Sequence, residues 1–429
     1  MSYVFKFGGA SIKNAEAIQN MVSILQRYQK ERLVVVVSAS GKTTNALEDV
    51  VNAYYNKTDK VKEYLDKVKL KHTEILNTLF PDTTDPIYAD IHDAFIDVEW
   101  ILEEEPQDTY DYLYDQIVSL GEILSTKIVA AYLNKQGVTA AWVDARDCIL
   151  TDNTYRDANI NWEETLKQIQ RIVPPLQEKG LVVTQGFIGG TSENFTTTLG
   201  REGSDFTASI FSYCLDVKGM AIWKDVPGVL TGDPRIFKDV TLLDKISYGE
   251  AIEMTYYGAK VIHPKTIRPL QNKGIPLHVK SFVNPEGAGT VINGEKVAEY
   301  PSVIVVKEKQ AMLKIVSNDF YFVDEARFAA LFNTLAEYRI KVNMTQNTAL
   351  AFSVCVNNDP DKNEPAKIQA LTEALANDYT VSVIDNLKLI TIRHATDKMV
   401  NRFAKGRKIY LEEKIRGTVQ LVMGASEKL

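Results

Sequence analysis

An α/β fold with a mainly parallel central sheet, followed by an α+β tail, is what three observations predict. Leu33 to Val37 is an unbroken run of leucine and valine, the composition of a parallel strand buried on both faces. Short apolar strands recur, each ending in a loop rich in glycine or hydroxyl residues and leading into a helical pattern, the alternation of a sheet with helices on its faces. From Val303 onward the order becomes strand, helix, strand, strand, helix, strand, a βαββαβ unit.

At 429 residues, 45% hydrophobic and 24% charged, the chain can bury two or three cores. A net charge of -7 supplies no basic field for nucleic acid, so small molecules are the expected partners. Cys148, Cys214 and Cys355 lie too far apart for a CxxC metal or redox site, and are expected to be reduced and buried. The five histidines are scattered, and none is assigned to a metal. The chain opens directly into a strand, with no signal peptide and no run of eighteen apolar residues, which points to the cytoplasm and away from a membrane.

Tyr3 to Phe7 reads as the first strand, with Lys6 at its carboxyl end beside Gly8, Gly9, Ala10 and Ser11, where α/β folds place ligands. The Leu33 strand runs into Ser38-Ala-Ser-Gly-Lys-Thr-Thr-Asn45, a polar loop before a helix. Its Gly41-Lys42-Thr43 is no P-loop, because position 36, where the first glycine belongs, is Val36. Residues 46 to 134 read as helical, with breaks near 56–59, 81–86 and 106. Within them Ser119-Leu-Gly-Glu122 sets a glycine in a helix, either to let a ligand approach Glu122 or to let helices pack closely with Glu122 in water. A strand at Thr139 to Val143 and a helix at Trp162 to Glu178 lead to the central stretch. There Leu181 to Gln185 is a buried strand, Gly186, Gly189 and Gly190 allow backbone to approach a ligand, and Thr198-Leu-Gly-Arg-Glu-Gly-Ser-Asp205 opens a helix capped by Ser204 or Asp205. Arg201 at that helix N-terminus completes an anion site. After the strand Gly219 to Trp223, the turns at Pro227-Gly228 and Asp233-Pro234, flanked by Lys224, Asp225 and Arg235, fit a nucleotide rim. Gly258-Ala-Lys260 adds one more lysine.

In order, KFGGAS, VVVVSASGKTTN, SLGE, GFIGGT, TTTLGREGSD, DVPGVLTGDPR and YYGAKVIHP resemble the motifs of the aspartate kinases, within the amino acid kinase family, across about residues 2 to 298. The tail resembles their paired ACT domains. The resemblance implies a three-layer amino-acid-kinase fold over residues 1–298 as the catalytic domain. It also implies regulatory tandem ACT domains over 299–429, the second one short. It implies transfer of the γ-phosphoryl group of ATP to the side-chain carboxylate of L-aspartate, with Mg2+ carried by the nucleotide, an amino-acid effector at the ACT domains, and a homodimer or higher homo-oligomer. By the family pattern Lys6 stabilises the transferring phosphoryl oxygens, and Gly8, Gly9 and Ser11 cradle the phosphates. Thr44, Glu122, Arg201 and Ser204 hold the substrate, Glu122 taking its ammonium and Arg201 its α-carboxylate. Asp205 is the acidic catalytic residue. Lys224, Asp225 and Leu230 lie at the nucleotide, with Arg235 and Lys260 near its phosphates. A sister kinase acting on another carboxylate, or a non-catalytic amino-acid sensor, is the alternative.

Two positions depart from the family pattern, Ala10 standing for threonine and Glu202 for glycine, while position 224, here Lys224, varies in the family between small hydroxyl residues and lysine. In the tail, lysine-sensitive relatives carry an aspartate and, six residues on, a glutamate where this chain has Asn343 and Ala349. A lysine ammonium facing neutral groups forgoes charge-assisted bonds of about 1.5–3 kcal/mol each. Millimolar lysine is therefore expected to inhibit weakly or not at all; a titration of lysine, and separately threonine, into the kinase assay that finds strong inhibition at sub-millimolar lysine removes the significance of both substitutions.

Overall fold

The computed structural model describes residues 2–259, 262–319 and 324–426. They form two compact units: 1–229, 242–252 and 262–296 make the first, and 230–241, 253–261 and 297–429 the second. Segments 230–241 and 253–261, which the sequence reading put in the catalytic domain, thus cluster with the tail.

The first unit carries strands β1 (Ser2–Phe7), β2 (Arg32–Val37), β3 (Ala140–Val143), β4 (Leu181–Gln185), β5 (Ile188–Gly190), β6 (Thr196–Thr198), β7 (Gly219–Lys224), β8 (Lys245–Ser247), β9 (Leu277–Ser281) and β10 (Thr290–Asn293). Eight of them build one sheet in the order β3-β4-β2-β1-β7-β9-β10-β8. All its neighbours are parallel except the β9–β10 pair. Alternation along the strands divides the core. Phe5, Phe7, Leu33, Val35, Val37, Leu181, Val183 and Trp223 pack with helices α1 (Ala15–Gln26), α2 (Thr43–Tyr55), α3 (Val61–Leu79), α4 (Ile87–Glu103), α5 (Tyr110–Val118) and α6 (Leu120–Lys135). The intervening Val4, Val34, Val36 and Val182 are also fully buried. Helices α7 (Trp162–Gln177) and α8 (Gly203–Leu215) pack on these strands. Helix α9 (Tyr248–Tyr256) and α10 (Pro264–Lys273) follow. The three-layer expectation therefore holds. The stretch Tyr110–Lys135 is long and apolar enough to cross a membrane by composition, but 78% of that window is buried in protein, as core helices α5 and α6 are.

Several local readings need correction. The α2 helix starts at Thr43 rather than Ala46, so Thr43 and Thr44 belong to its first turn. Ser119 ends α5 and precedes α6, so SLGE sits at a joint between two helices instead of inside one. The glycine loop after β4 folds into a β5–β6 hairpin. Its glycines accommodate protein instead of ligand: a Cβ at Gly186 would lie 2.5 Å from the Ser204 Cβ, at Gly189 2.9 Å from the Ile149 carbonyl, and at Gly190 2.8 Å from the Arg146 carbonyl. The α10 helix was not anticipated, although His263 and Pro264 are good start signals; the His263 ring accepts from the Lys265 N–H at 3.2 Å as its N-cap.

The second unit holds β11 (Val303–Ser317), α11 (Glu325–Glu337), β12 (Val342–Asn347), β13 (Ala351–Asn357), α12 (Glu364–Leu375), β14 (Tyr379–Arg393), α13 (Asp397–Ala404), β15 (Ile409–Ile415) and β16 (Thr418–Gly424). The tail forms one antiparallel sheet, β12-β13-β11-β14-β16-β15, spanned by the two 15-residue strands β11 and β14. The polar run Lys307-Glu-Lys-Gln310 concealed that continuity. It forms a β-bulge between the two halves, with Lys309 at φ 54°.

Candidate active site

Strands β4, β2, β1 and β7 are adjacent and parallel, so their carboxyl ends and following loops share one edge. Lys6 near the end of β1 lies on the face opposite Phe5 and Phe7, and its Nζ stands 2.6 Å from the Asp205 carboxylate. Their side chains are only 10% and 6% exposed. Burial alone pushes the Asp205 carboxyl upward, but the Lys6 and Lys224 charges overcome it and hold the group below the usual carboxylate range. Asp205 falls in the first turn of α8, where the helix dipole also favours a negative charge. Neither Ser204 nor Asp205 caps that helix. It begins at Gly203, preceded by Glu202 in the left-handed region at φ 57°, with no side-chain cap.

The loop after β2 joins three parts of the site. Its Gly41 N–H donates to the Gly9 carbonyl at 2.9 Å. A Cβ on Gly9 would meet the Ala39 carbonyl at 2.7 Å, so this contact demands glycine. Ser40 donates to the Ile12 carbonyl at 2.8 Å, and Lys71 from α3 donates to the Ser40 carbonyl and, at 3.0 Å, to the Thr43 hydroxyl. The Ala39 N–H donates to Glu122 Oε1 at 3.1 Å. Gly121 packs against the Ala39, Leu47 and Thr43 side chains, so close packing is its role. Glu122 is nevertheless out of water, 2% exposed, and among the described residues its Oε2 has no hydrogen-bond partner. Burial raises its carboxyl to about 8, against the opposing Ala39 N–H and Lys6 charge.

Lys6, Gly9, Thr44, Glu122, Arg201, Ser204, Asp205 and Lys224 line one cavity of about 530 Å3. Gly8 adjoins it, a Cβ there lying 3.4 Å from the Lys6 Nζ. Ser11 is buried, and its hydroxyl donates to the Trp223 carbonyl at 3.4 Å. Asp225 and Ala10 are exposed. Leu230 and Arg235 belong to the second unit, where Arg235 forks onto Asp233, and Lys260 lies outside the described residues. Arg201 makes no hydrogen bond or ion pair among the described residues and is exposed. Among the described residues no group of three His, Cys, Asp or Glu side chains is placed to hold a metal ion.

Sequence reasoning missed Tyr114, Arg156 and Phe187, which line the same cavity. Tyr114 falls one helical turn before SLGE, so its helix was legible but its direction was not. Phe187 is held at φ 72°, its N–H donating to Thr207 at 3.0 Å. Asp115, fully buried, was also missed. It accepts from the Thr198 N–H at 2.8 Å, the Thr198 hydroxyl at 2.7 Å and the Arg156 N–H at 3.0 Å, and burial raises its carboxyl to about 6 against those bonds.

In the second unit the Asn343 amide is engaged within the sheet. It donates to Gln310 at 2.8 Å and Asn357 at 2.7 Å and accepts from the Lys307 ammonium at 3.0 Å. Burial, chiefly, lowers the Lys307 ammonium to about 8. Ala349 is exposed in the turn after β12. Asp319 pairs with Arg327 at 2.8 Å, and Asp324 caps α11.

Residues 1–281 match the amino acid kinase family. The lysine-sensitive aspartokinase 3 of Escherichia coli is 30% identical over 395 residues, 91% of this chain and 86% of that protein. Chloroplastic aspartokinase 1 of Arabidopsis thaliana is 33% identical over 84% of this chain, which spans 63% of that longer protein. Among solved structures, E. coli aspartokinase III superposes with a TM-score of 0.85 in its complex with lysine and aspartate, and 0.82 in its complex with aspartate and ADP. These matches are 26% and 27% identical and each cover 99% of this chain and 96% of the other. By the family match over residues 1–281 and by these relatives, the chain belongs to the amino acid kinase family and, within it, to the aspartokinases.

Proposed function

We propose that the protein transfers the γ-phosphoryl group of ATP to the side-chain carboxylate of L-aspartate, giving 4-phospho-L-aspartate. The observation that carries this reading is the cavity that sets the buried Lys6–Asp205 pair beside a buried Glu122 with one unpartnered oxygen. An acceptor with one ammonium and two carboxylates matches the pocket: the ammonium goes to Glu122 and the α-carboxylate to Arg201, which leaves the side-chain carboxylate toward Lys6. Thr44 and Ser204 bind the substrate from the cavity wall. That carboxylate is already ionised at neutral pH, so no general base is needed. Asp205 therefore orients Lys6, and Lys6 stabilises charge on the transferring phosphoryl oxygens. Gly8, Gly9 and Ser11, with Lys224 and Asp225, form the nucleotide side, the family pattern adds Leu230, Arg235 and Lys260 as nucleotide-binding residues, and magnesium enters with the nucleotide. Residues 1–298 act as the catalytic domain and 299–429 as the regulatory one, in a cytoplasmic homodimer formed through the ACT domains.

A coupled assay with ATP and a panel of carboxylic acids tests the reaction: aspartate should be phosphorylated, and preference for glutamate, acetylglutamate or another acid would assign a sister activity. Lys6→Ala is expected to lower kcat at least about a thousandfold, since its charge acts in the transition state. It should also cost about 3–5 kcal/mol of stability, because Asp205 is left buried without its main partner. Lys6→Met combined with Asp205→Asn should recover the melting temperature without the activity, and turnover near wild type in either variant rejects the assignment. Arg201→Ala should raise KM for aspartate; a rise in KM for ATP alone assigns Arg201 to the nucleotide.

The Glu122 pKa, raised by burial, sets a pH dependence. Folding favours its protonated form, so this contribution to stability is full at low pH and is lost as pH rises through about 8. The substrate ammonium favours the ionised form, so binding below that pH releases a proton. Affinity for aspartate should rise toward about tenfold per pH unit well below pH 8 and level off above it. Calorimetry at pH 7 in buffers of different ionisation enthalpy measures the released proton; no release, or the same pH slope in Glu122→Gln, contradicts the role.

A further inference from the structure

Arg156 lies on the loop between β3 and α7, outside every motif that carries the family resemblance, yet its side chain reaches the wall of the cavity. Several features hold it there. Its guanidinium sits 4.4 Å from the centroid of the Tyr114 ring and 5.5 Å from that of Tyr110. Its Nη1 donates to Asp111 at 3.3 Å, a pair whose side chains are 41% and 59% exposed, too wet to consume the charge. The backbone at Arg156 is in the left-handed region, φ 69°, which a non-glycine residue rarely occupies.

The same loop is bonded to the strand that leads to Arg201. Buried Asp115 accepts from the backbone N–H of both Arg156 and Thr198, and the Ala158 N–H donates to the Thr198 carbonyl at 3.0 Å. Next along, Gly200 has no side chain where a Cβ would stand 3.2 Å from the Arg156 carbonyl. One carboxylate thus registers two guanidinium-bearing segments side by side. Among the described residues, Arg201 has no protein partner and the Nε and Nη2 groups of Arg156 have none.

We propose that Arg156 is a second substrate-binding guanidinium, which joins Arg201 in recognising the carboxylate of the amino-acid substrate, with Asp115 as the positioning residue for both. The assignment rests on the aspartate kinase reading above. Stacking on Tyr114 presents the planar fork already ordered, so little side-chain entropy is lost when a carboxylate binds.

The test is steady-state kinetics of wild type, R156Q and R156K with aspartate and ATP varied separately. R156Q should raise KM for aspartate about tenfold or more, as for loss of one charge-assisted pair, with KM for ATP within about twofold. R156K keeps the charge but not the fork and should raise it less. A purely structural loop residue would not confine the change to one substrate. An R156Q whose KM for aspartate stays within about twofold of wild type, or whose change falls on ATP, overturns the proposal while the aspartate kinase reading stands. A wild type that phosphorylates no aspartate overturns that reading and this one with it.

Discussion

The site depends on one buried ion pair. Removing a lysine and a carboxylate from water costs several kcal/mol each, and only close, well-aimed pairing offsets it. Lys6 and Asp205 meet that condition because β1 ends where α8 begins, and that follows from the strand order, with β1 flanked by β2 and β7 and α8 lying across them. The first turn of α8 adds its positive dipole end to the lysine charge. The pair ties the amino-terminal strand to a helix 200 residues later. It also holds the lysine ordered and nearly dry at the cavity, where electrostatic stabilisation is strongest.

Around that pair the cavity is made rigid by backbone. The β2 loop is bonded to Gly9, Ile12, Glu122 and Lys71, so the turn after β1 and the start of α6 are tied to one piece of chain. Hydrogen bonds of this kind contribute about 1 kcal/mol each, but their larger effect is geometric. They fix an unpartnered carboxylate oxygen of Glu122 in a place where leaving it unpaired is costly. A binding site holds such an orphan when its partner is a ligand.

The tail follows a different logic. Its two halves share a single sheet through β11 and β14, and the bulge between Lys307 and Gln310 marks the join. There the Lys307 ammonium, Asn343, Gln310 and Asn357 satisfy one another in a half-buried network. The Asn343 amide at this join is already engaged by the chain's own Lys307.

Much of this was legible in the residues. The pure aliphatic run of β2, the glycines beside Lys6 and the TTTLGREGSD stretch announce a parallel sheet with ligand loops at one edge, because burial on both faces and phosphate-sized turns restrict which residues can stand there. Lys6, Glu122 and Arg201 stand at a strand end or beside a glycine, which is locally unusual for a charged residue, whereas the role of Asp205 came from the family resemblance. Other features left no local mark. Gly186 and Gly190 looked like ligand approaches but face Ser204 and Arg146, since a glycine records that something comes close without saying what. Arg156 and Asp115 sit in ordinary polar and helical sequence, and their place follows from contacts distant in the chain, Asp115 accepting from the backbone N–H of both Arg156 and Thr198. The chain by itself determined which segments are strands, which loops lie at the working edge and which charges they carry, because period, propensity and turn chemistry act over a few residues. The tertiary structure alone decided which charges are paired, which are buried and which are left open to a ligand, because desolvation depends on everything packed around a group.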